Sequence, residues 1–202
     1  MTVKEIVPLD KRKSKVILDE GFTLVLYRGE LKRFDLKEGE ELSREIYEKI
    51  VNEVLKKRAR ERVLFLLKAS DKTEKELIKK LKEGFYPQEA IDYAIGFLKA
   101  HHYIDDEEYG RRYVEFHSRR KSRRQIQYEL RQKGLSGELI EEVLREQPVD
   151  EEAQVLAYIR KKHLEPEKLE LNERRKVVAA LGRKGFSYEA ISRALGGFYE
   201  ED

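Results

Sequence analysis

Ile126-Gln127-Tyr128-Glu129-Leu130-Arg131-Gln132-Lys133-Gly134-Leu135-Ser136-Gly137-Glu138-Leu139-Ile140 decides the fold of this chain. Ile126 and Leu130 lie one helical turn apart, Gly134-Leu135 punctuates, Ser136 opens a second helix, and Ile140 returns to the apolar face. The same spacing recurs on both sides: Leu77, Leu81 and Ile91 precede it, and Val177, Leu181 and Ile191 follow it. Glu89, Glu138 and Glu189 align in this register, as do Ala94-Ile95, Val143-Leu144 and Ala194-Leu195. Gly84-Phe85, Gly134-Leu135 and Gly185-Phe186 occupy the interhelical turn, where a left-handed glycine ends one helix and the next apolar residue packs back on it. One element earlier, Leu64 and Leu67 align with Tyr113 and Phe116, so a further helix belongs to each copy.

Start signals extend the pattern. Thr73-x-x-Glu76, Asp105-x-x-Glu108 and Ser122-x-x-Gln125 fit the capping box, and Pro87, Ser136, Asp150, Asn172 and Ser187 mark further starts. Helices are expected near 43–69, 73–83, 87–100, 105–119, 122–133, 136–145, 150–163, 172–184 and 187–195, which make three triplets. Units of this kind bury little alone and gain a core by stacking. The expected fold is mostly α: three tandem three-helix repeats (43–104, 105–149 and 150–202) in an elongated curved array. The linker from Leu164 to Leu171, with Pro166, suggests that the third repeat is offset on a hinge.

The first 42 residues read differently. Lys15 to Leu18 and Phe22 to Tyr27 are β-prone runs around Asp19-Glu20-Gly21, a hairpin to which Ile6 to Leu9 can add a third strand. Arg28-Gly29-Glu30 and Lys37-Glu38-Gly39 read as turns. With nine basic and nine acidic residues, this small β-hairpin-like segment (1–42) has no electrostatic signature and suits a structural cap or docking surface.

Composition bounds the function. The 202 residues are 40% apolar and 41% charged, with no cysteine, which removes disulfides, thiolate metal sites and a cysteine nucleophile. The longest apolar runs, such as Val63 to Leu67, fall far short of the roughly 20 residues of a bilayer span, and Met1 is not followed by a secretory pattern. A cytoplasmic protein without membrane contact is expected. No phosphate loop, nucleophile elbow or His-Glu-x-x-His pair occurs, so no enzyme and no cofactor is expected. His101-His102 with Asp105-Asp106 reads as helix termini rather than a metal cluster. Tyr109, Tyr113 and Phe116 recur at helical spacing and read as core rather than a base-stacking platform.

Net charge is only +3, so any polyanion contact must come from clustering. From Arg111 to Lys133, nine basic residues face two acids, Glu115 and Glu129. Arg119, Arg120, Lys121, Arg123 and Arg124 straddle a helix start, where phosphate could meet arginine forks and free backbone N–H groups; Arg131 and Lys133 extend the cluster. Arg174, Arg175 and Lys176 stand at the matching start of the third repeat, whereas the first has Glu74-Lys75-Glu76. The helix dipole opposes cations at such positions, which argues against a purely stabilising role.

The run Tyr103-Ile104-Asp105-Asp106-Glu107-Glu108-Tyr109, followed by Arg124-x-Ile126-x3-Leu130-x2-Lys133-Gly134-Leu135, resembles the signature of the RecX regulatory proteins. Glu76-Leu77-x3-Leu81, Ala90-Ile91 and Lys184-Gly185-Phe186 fit the other repeats, and the β-prone leader resembles an extension carried by some members. Gly110 stands where the family has a small residue, while the family's glycine before the basic helix is replaced within Arg119-Arg120-Lys121. The resemblance implies binding to the RecA protein and its single-stranded DNA filament. It also implies inhibition of filament growth, ATP hydrolysis, strand exchange and coprotease activity, in homologous recombination, DNA repair and the SOS response. Direct DNA contact is a further expectation. A nucleic-acid-binding helical-repeat module acting without RecA, with Arg123 to Arg131 on DNA, is the alternative reading.

Overall fold

The computed structural model describes residues 1–19 and 21–196. Glu20 of the expected hairpin turn and residues 197–202 of the expected third repeat lie outside them. The chain forms two compact units, Met1–Asp105 and Asp106–Asp202. No helix among the described residues is long and apolar enough to cross a membrane.

The first unit opens with strands β1 (Val3–Pro8), β2 (Lys13–Leu18) and β3 (Thr23–Tyr27) in one antiparallel sheet of order β1-β2-β3. Alternation sets its inner face: Ser14, Val16 and Leu18 of β2 and Leu24 and Leu26 of β3 are buried. The expected turn at Arg28-Gly29-Glu30 is instead helix α1 (Arg28–Arg33). The Glu30 carboxylate accepts from the Tyr27 N–H at 2.7 Å, and Leu31 and Phe34 pack on the core, which together hold a turn of helix.

The expected helix 43–69 is helical throughout but not α throughout. α2 (Arg44–Lys49) and α3 (Lys56–Ala69) flank a π-helical segment, Ile50–Leu55. Widening to i→i+5 bonding brings Leu55 round to the side of Ile50, and Ile50, Val51 and Leu55 are all buried. α4 (Glu74–Glu83) and α5 (Gln88–Ala100) complete the unit, with Leu77, Leu81, Ala90, Ile91, Ala94 and Leu98 in the same core as the sheet. Each fully buried leucine or isoleucine contributes about 1.5–3 kcal/mol.

In the second unit, α6 (Asp106–His117), α7 (Arg123–Lys133) and α8 (Gly137–Glu146) enclose Val114, Ile126, Leu130, Leu135, Ile140, Val143 and Leu144. Gly110 is buried where there is little room for a side chain: a Cβ there would lie 3.0 Å from Leu135 Cδ2 and 3.4 Å from Val143 Cγ2. α9 (Glu151–Lys161), α10 (Leu171–Arg183) and α11 (Tyr188–Ala194) enclose Val155, Ile159, Leu181, Ile191, Ala194 and Leu195.

Three expectations change here. The linker at Leu164–Leu171 lies between α9 and α10, inside the third repeat, so it cannot offset that repeat from the second. Pro166–Lys168 forms a 3-10 turn, and Leu164 and Leu169 pack on the third core, which anchors it. Asn172 does not start α10; Glu170 does, in a capping box with Glu173, whose carboxylate accepts from the Glu170 N–H at 3.4 Å. Finally, Gly134 and Gly185 take positive φ (104° and 86°), but Gly84 does not (−86°), and Phe85 at φ 57° makes the left-handed turn instead. Space requires Gly84: a Cβ would stand 2.9 Å from the Tyr86 ring.

Candidate functional site

The basic start of α7 is built from its first residues outward. Ser122, almost fully buried, accepts from the Gln125 N–H at 3.3 Å and donates to the Lys184 carbonyl at 2.9 Å. Its side chain therefore caps α7 and ties it to the end of α10. Gln125 does not close the expected capping box from its own side chain, which reaches forward to Glu129 at 3.1 Å. The next N–H, that of Arg123, donates to Glu151 Oε1 at 2.9 Å, and the second oxygen of that carboxylate accepts from the Ser187 N–H at 3.0 Å. Gln154 adds bonds from its amide to the carbonyls of Ser118 (2.7 Å) and Lys121 (3.2 Å).

Two of the N–H groups expected to meet phosphate at this helix start, those of Arg123 and Gln125, are thus occupied. An anion does sit there, as the positive end of a helix favours, but it is the protein's own Glu151, placed on two helix starts at once.

The ten cations expected to make contacts divide into two groups. Lys121, Arg123, Lys133 and Arg174 are engaged internally. Lys121 Nζ lies 2.5 Å from Glu129 and 3.1 Å from the Tyr113 hydroxyl, which itself donates to Glu129. Burial pushes the Glu129 carboxyl up, but its bonds to Lys121, Tyr113 and Gln125 outweigh this and leave it below the usual carboxylate range. Burial likewise pushes Lys121 down, and Glu129 and Tyr113 return it above its ordinary value. Arg123 bonds Glu141 at 2.6 Å and the Leu144 carbonyl at 3.3 Å. Lys133 Nζ stands 5.3 Å above the Tyr109 ring, and Arg174 donates to the Leu195 carbonyl at 2.5 Å. The other six, Arg119, Arg120, Arg124, Arg131, Arg175 and Lys176, are exposed and make no ion pair among the described residues.

The two basic helix starts are not brought together. What lies against the start of α7 is the end of α10, so Arg183 and Lys184, absent from the expected set, are Arg124's neighbours there. Their signal in the sequence is Lys184-Gly185-Phe186, which marks the turn and fits the family's pattern but does not say what Lys184 lies against.

Among the aromatics, Tyr109 and Tyr113 pack on the second core as expected, but Phe116 does not: it is 73% exposed. The buried stripe of α6 runs through Gly110 and Val114, and Phe116, two residues beyond Val114, points to the opposite side of the helix. His101 is the C-cap of α5, its Nδ1 2.9 Å from the Phe97 carbonyl, and its ring packs on Phe97. No group of three or more histidine or carboxylate side chains among the described residues could hold a metal ion.

Comparison with known proteins agrees with the three-helix register. Models of the first, second and third three-helix domains of RecX match residues 59–98, 105–144 and 150–195. Regulatory protein RecX of Caldanaerobacter subterraneus subsp. tengcongensis is 32% identical over 198 residues, covering 96% of this chain and 98% of the relative. That of Bacillus velezensis is 31% identical over 185 residues, covering 89% and 70%. These relatives bear the name of a regulator rather than an enzyme. A crystal structure of regulatory protein RecX superposes with a TM-score of 0.62 at 25% identity, over 96% of this chain and 98% of that one. RecX from Lactobacillus salivarius, at 22% identity and a TM-score of 0.60 over 70% of this chain and 95% of that one, shares the fold. With all three domains matched in order and relatives aligned over nearly the whole length, this chain belongs to the RecX family of regulatory proteins.

Proposed function

We propose that this chain is a cytoplasmic regulator of the RecA recombinase that binds RecA and its single-stranded DNA filament and inhibits filament growth, ATP hydrolysis, strand exchange and coprotease activity. The observation that carries the reading, beside family membership, is the set of six exposed cations in the second unit that no internal acid neutralises. Unpaired surface cations contribute little to folding, whereas on approach to an acidic protein surface or a phosphate backbone they steer association and hold the complex. Binding across neighbouring RecA subunits would then block further addition by bulk and charge.

The test is the RecA single-stranded DNA ATPase titrated with the parent protein and with Arg119→Ala/Arg120→Ala/Arg124→Ala/Arg131→Ala. Arg123 is left in place because its bonds to Glu141 and Leu144 make its replacement a stability change. At about 0.5 kcal/mol per screened contact, four lost contacts raise the inhibitory concentration roughly thirtyfold. Equal inhibition by the folded variant would remove these residues from the mechanism. No effect of the parent protein on the ATPase would remove RecA as its target.

A further inference from the structure

Between the start of α7 and the end of α10 runs an open groove of about 450 Å³, lined by Arg124, Tyr128, Gly182, Arg183, Lys184 and Gly185 together with Gln125. Its walls carry three cations and no acidic side chain, and none of the three makes an ion pair among the described residues. Lys184 Nζ lies 5.8 Å from the Tyr158 ring and has no carboxylate on it. Arg183 and Lys184 suit the negative end of α10, but Arg124 is opposed by the dipole of α7 and by both of these neighbours. With three cations and no acid among its lining residues, the groove favours an anionic ligand.

Tyr128 adds a second, independent feature. It follows Arg124 by one helical turn and is therefore on the same face, and its ring is 63% exposed. Gly182 keeps the opposite wall low, since a Cβ there would meet nothing within 4 Å, while Gly185 lets the end of α10 lie close on the start of α7, where a Cβ would press on Ser122 Oγ at 2.7 Å. An exposed ring beside cations on an open floor is the arrangement that stacks an unpaired base while its phosphates meet basic side chains.

We propose that this groove is a direct binding site for single-stranded nucleic acid, with Tyr128 stacking on one base and Arg124, Arg183 and Lys184 contacting flanking phosphates. It deepens the DNA-contacting part of the regulatory reading but needs no RecA. The bases of a duplex are already stacked, so the site prefers single strands over duplex.

The test is fluorescence anisotropy of a labelled oligothymidylate and of a duplex of the same length, titrated with the full chain in the absence of RecA. Tyr128→Ala is expected to weaken oligothymidylate binding by roughly tenfold or more, and Tyr128→Phe to retain it. Arg124→Gln/Arg183→Gln/Lys184→Gln is expected to lower the slope of log affinity against log salt by about 2, at about 0.7 per phosphate on a single strand. Arg145→Gln, on exposed α8 surface outside the groove, serves as the control with binding retained. Unchanged binding by folded Tyr128→Ala, an unchanged salt slope in the triple variant, or equal affinity for the duplex would each overturn the proposal. ATPase inhibition measured in parallel separates the two readings: the groove stands or falls on bare oligonucleotide, the RecA assignment on the ATPase.

Discussion

Replacing Glu151 removes a carboxylate that serves two helix starts, and the cost can be worked from the geometry. Oε1 accepts from the Arg123 N–H at 2.9 Å and Oε2 from the Ser187 N–H at 3.0 Å, the first part-buried and the second exposed. Hydrogen bonds to a charged group contribute about 1.5–3 kcal/mol when sheltered. Water replaces much of the bond at Ser187, so Glu151→Ala is expected to cost about 2 kcal/mol in total. For a unit the size of Asp106–Asp202 that is a fall in melting temperature of about 10 °C. Glu151→Gln keeps one acceptor oxygen but loses the charge, and should fall roughly midway. Thermal unfolding of the full chain, followed by circular dichroism and calorimetry, reads the shift in the transition of the second unit. Inorganic phosphate should restore part of the loss in Glu151→Ala and affect the parent less, because only the variant presents two vacant N–H donors at helix starts. A Glu151→Ala protein melting within about 2 °C of the parent would refute the reasoning that this carboxylate welds the second and third repeats.

Gly185→Ala should destabilise the same unit by about 1–3 kcal/mol in urea unfolding, since φ is 86° and the added carbon meets Ser122 Oγ at 2.7 Å. Gly110→Val should cost about 1–3 kcal/mol by overpacking against Leu135 and Val143, whereas exposed Gly182→Ala should be neutral or slightly stabilising. Acid unfolding tests Glu129: its folded carboxyl titrates below the unfolded value of about 4.3, so its stabilisation is present above that pH and is lost as pH falls through the lower folded value. Glu129→Gln should therefore be less stable than the parent at neutral pH and lose less on acidification, and parallel pH profiles would count against this role.

What could be read from the sequence was local. Thr73, Ser122, Ser136 and Ser187 each cap a helix through an N–H three residues ahead, a distance that the sequence itself spans. The apolar spacing needs only the helical period, and the positions it selects, such as Leu81, Leu130 and Leu181, are fully buried. The misses involve partners far along the chain or shifts of a single residue. Glu151 meets Arg123 across 28 residues and Ser187 across 36, so nothing near Arg123 signals that its N–H is taken. The turn at Gly84 moved its left-handed residue on by one, and the glycine was needed for the Tyr86 ring instead. Arg183 and Lys184 form no basic cluster with Arg124 along the sequence, because their proximity to it arises only from the packing of α10's end on α7's start.

The equivalent helix starts of the three repeats also show why similar basic triplets need not do similar work. In the first, Thr73 and Glu76 cap each other within one turn, and the acidic start needs no outside help. In the second, Arg123 and Arg124 stand at the positive end of α7, a placement opposed by the dipole, and Glu151 from the third repeat supplies the missing negative charge. In the third, Glu170 and Glu173 supply it locally, and Arg174 reaches instead to the Leu195 carbonyl at the end of α11, where a cation is favoured. Arg174 and Arg123 thus hold the fold, and their sequence neighbours Arg124, Arg175 and Lys176 remain turned to solvent. A basic cluster in such a repeat has to be divided side chain by side chain before any of it is assigned to a partner. That division predicts that Arg123→Ala and Arg174→Ala lower the melting temperature, whereas Arg124→Ala and Arg175→Ala leave it within about 0.5 kcal/mol of stability of the parent and act, if at all, on binding.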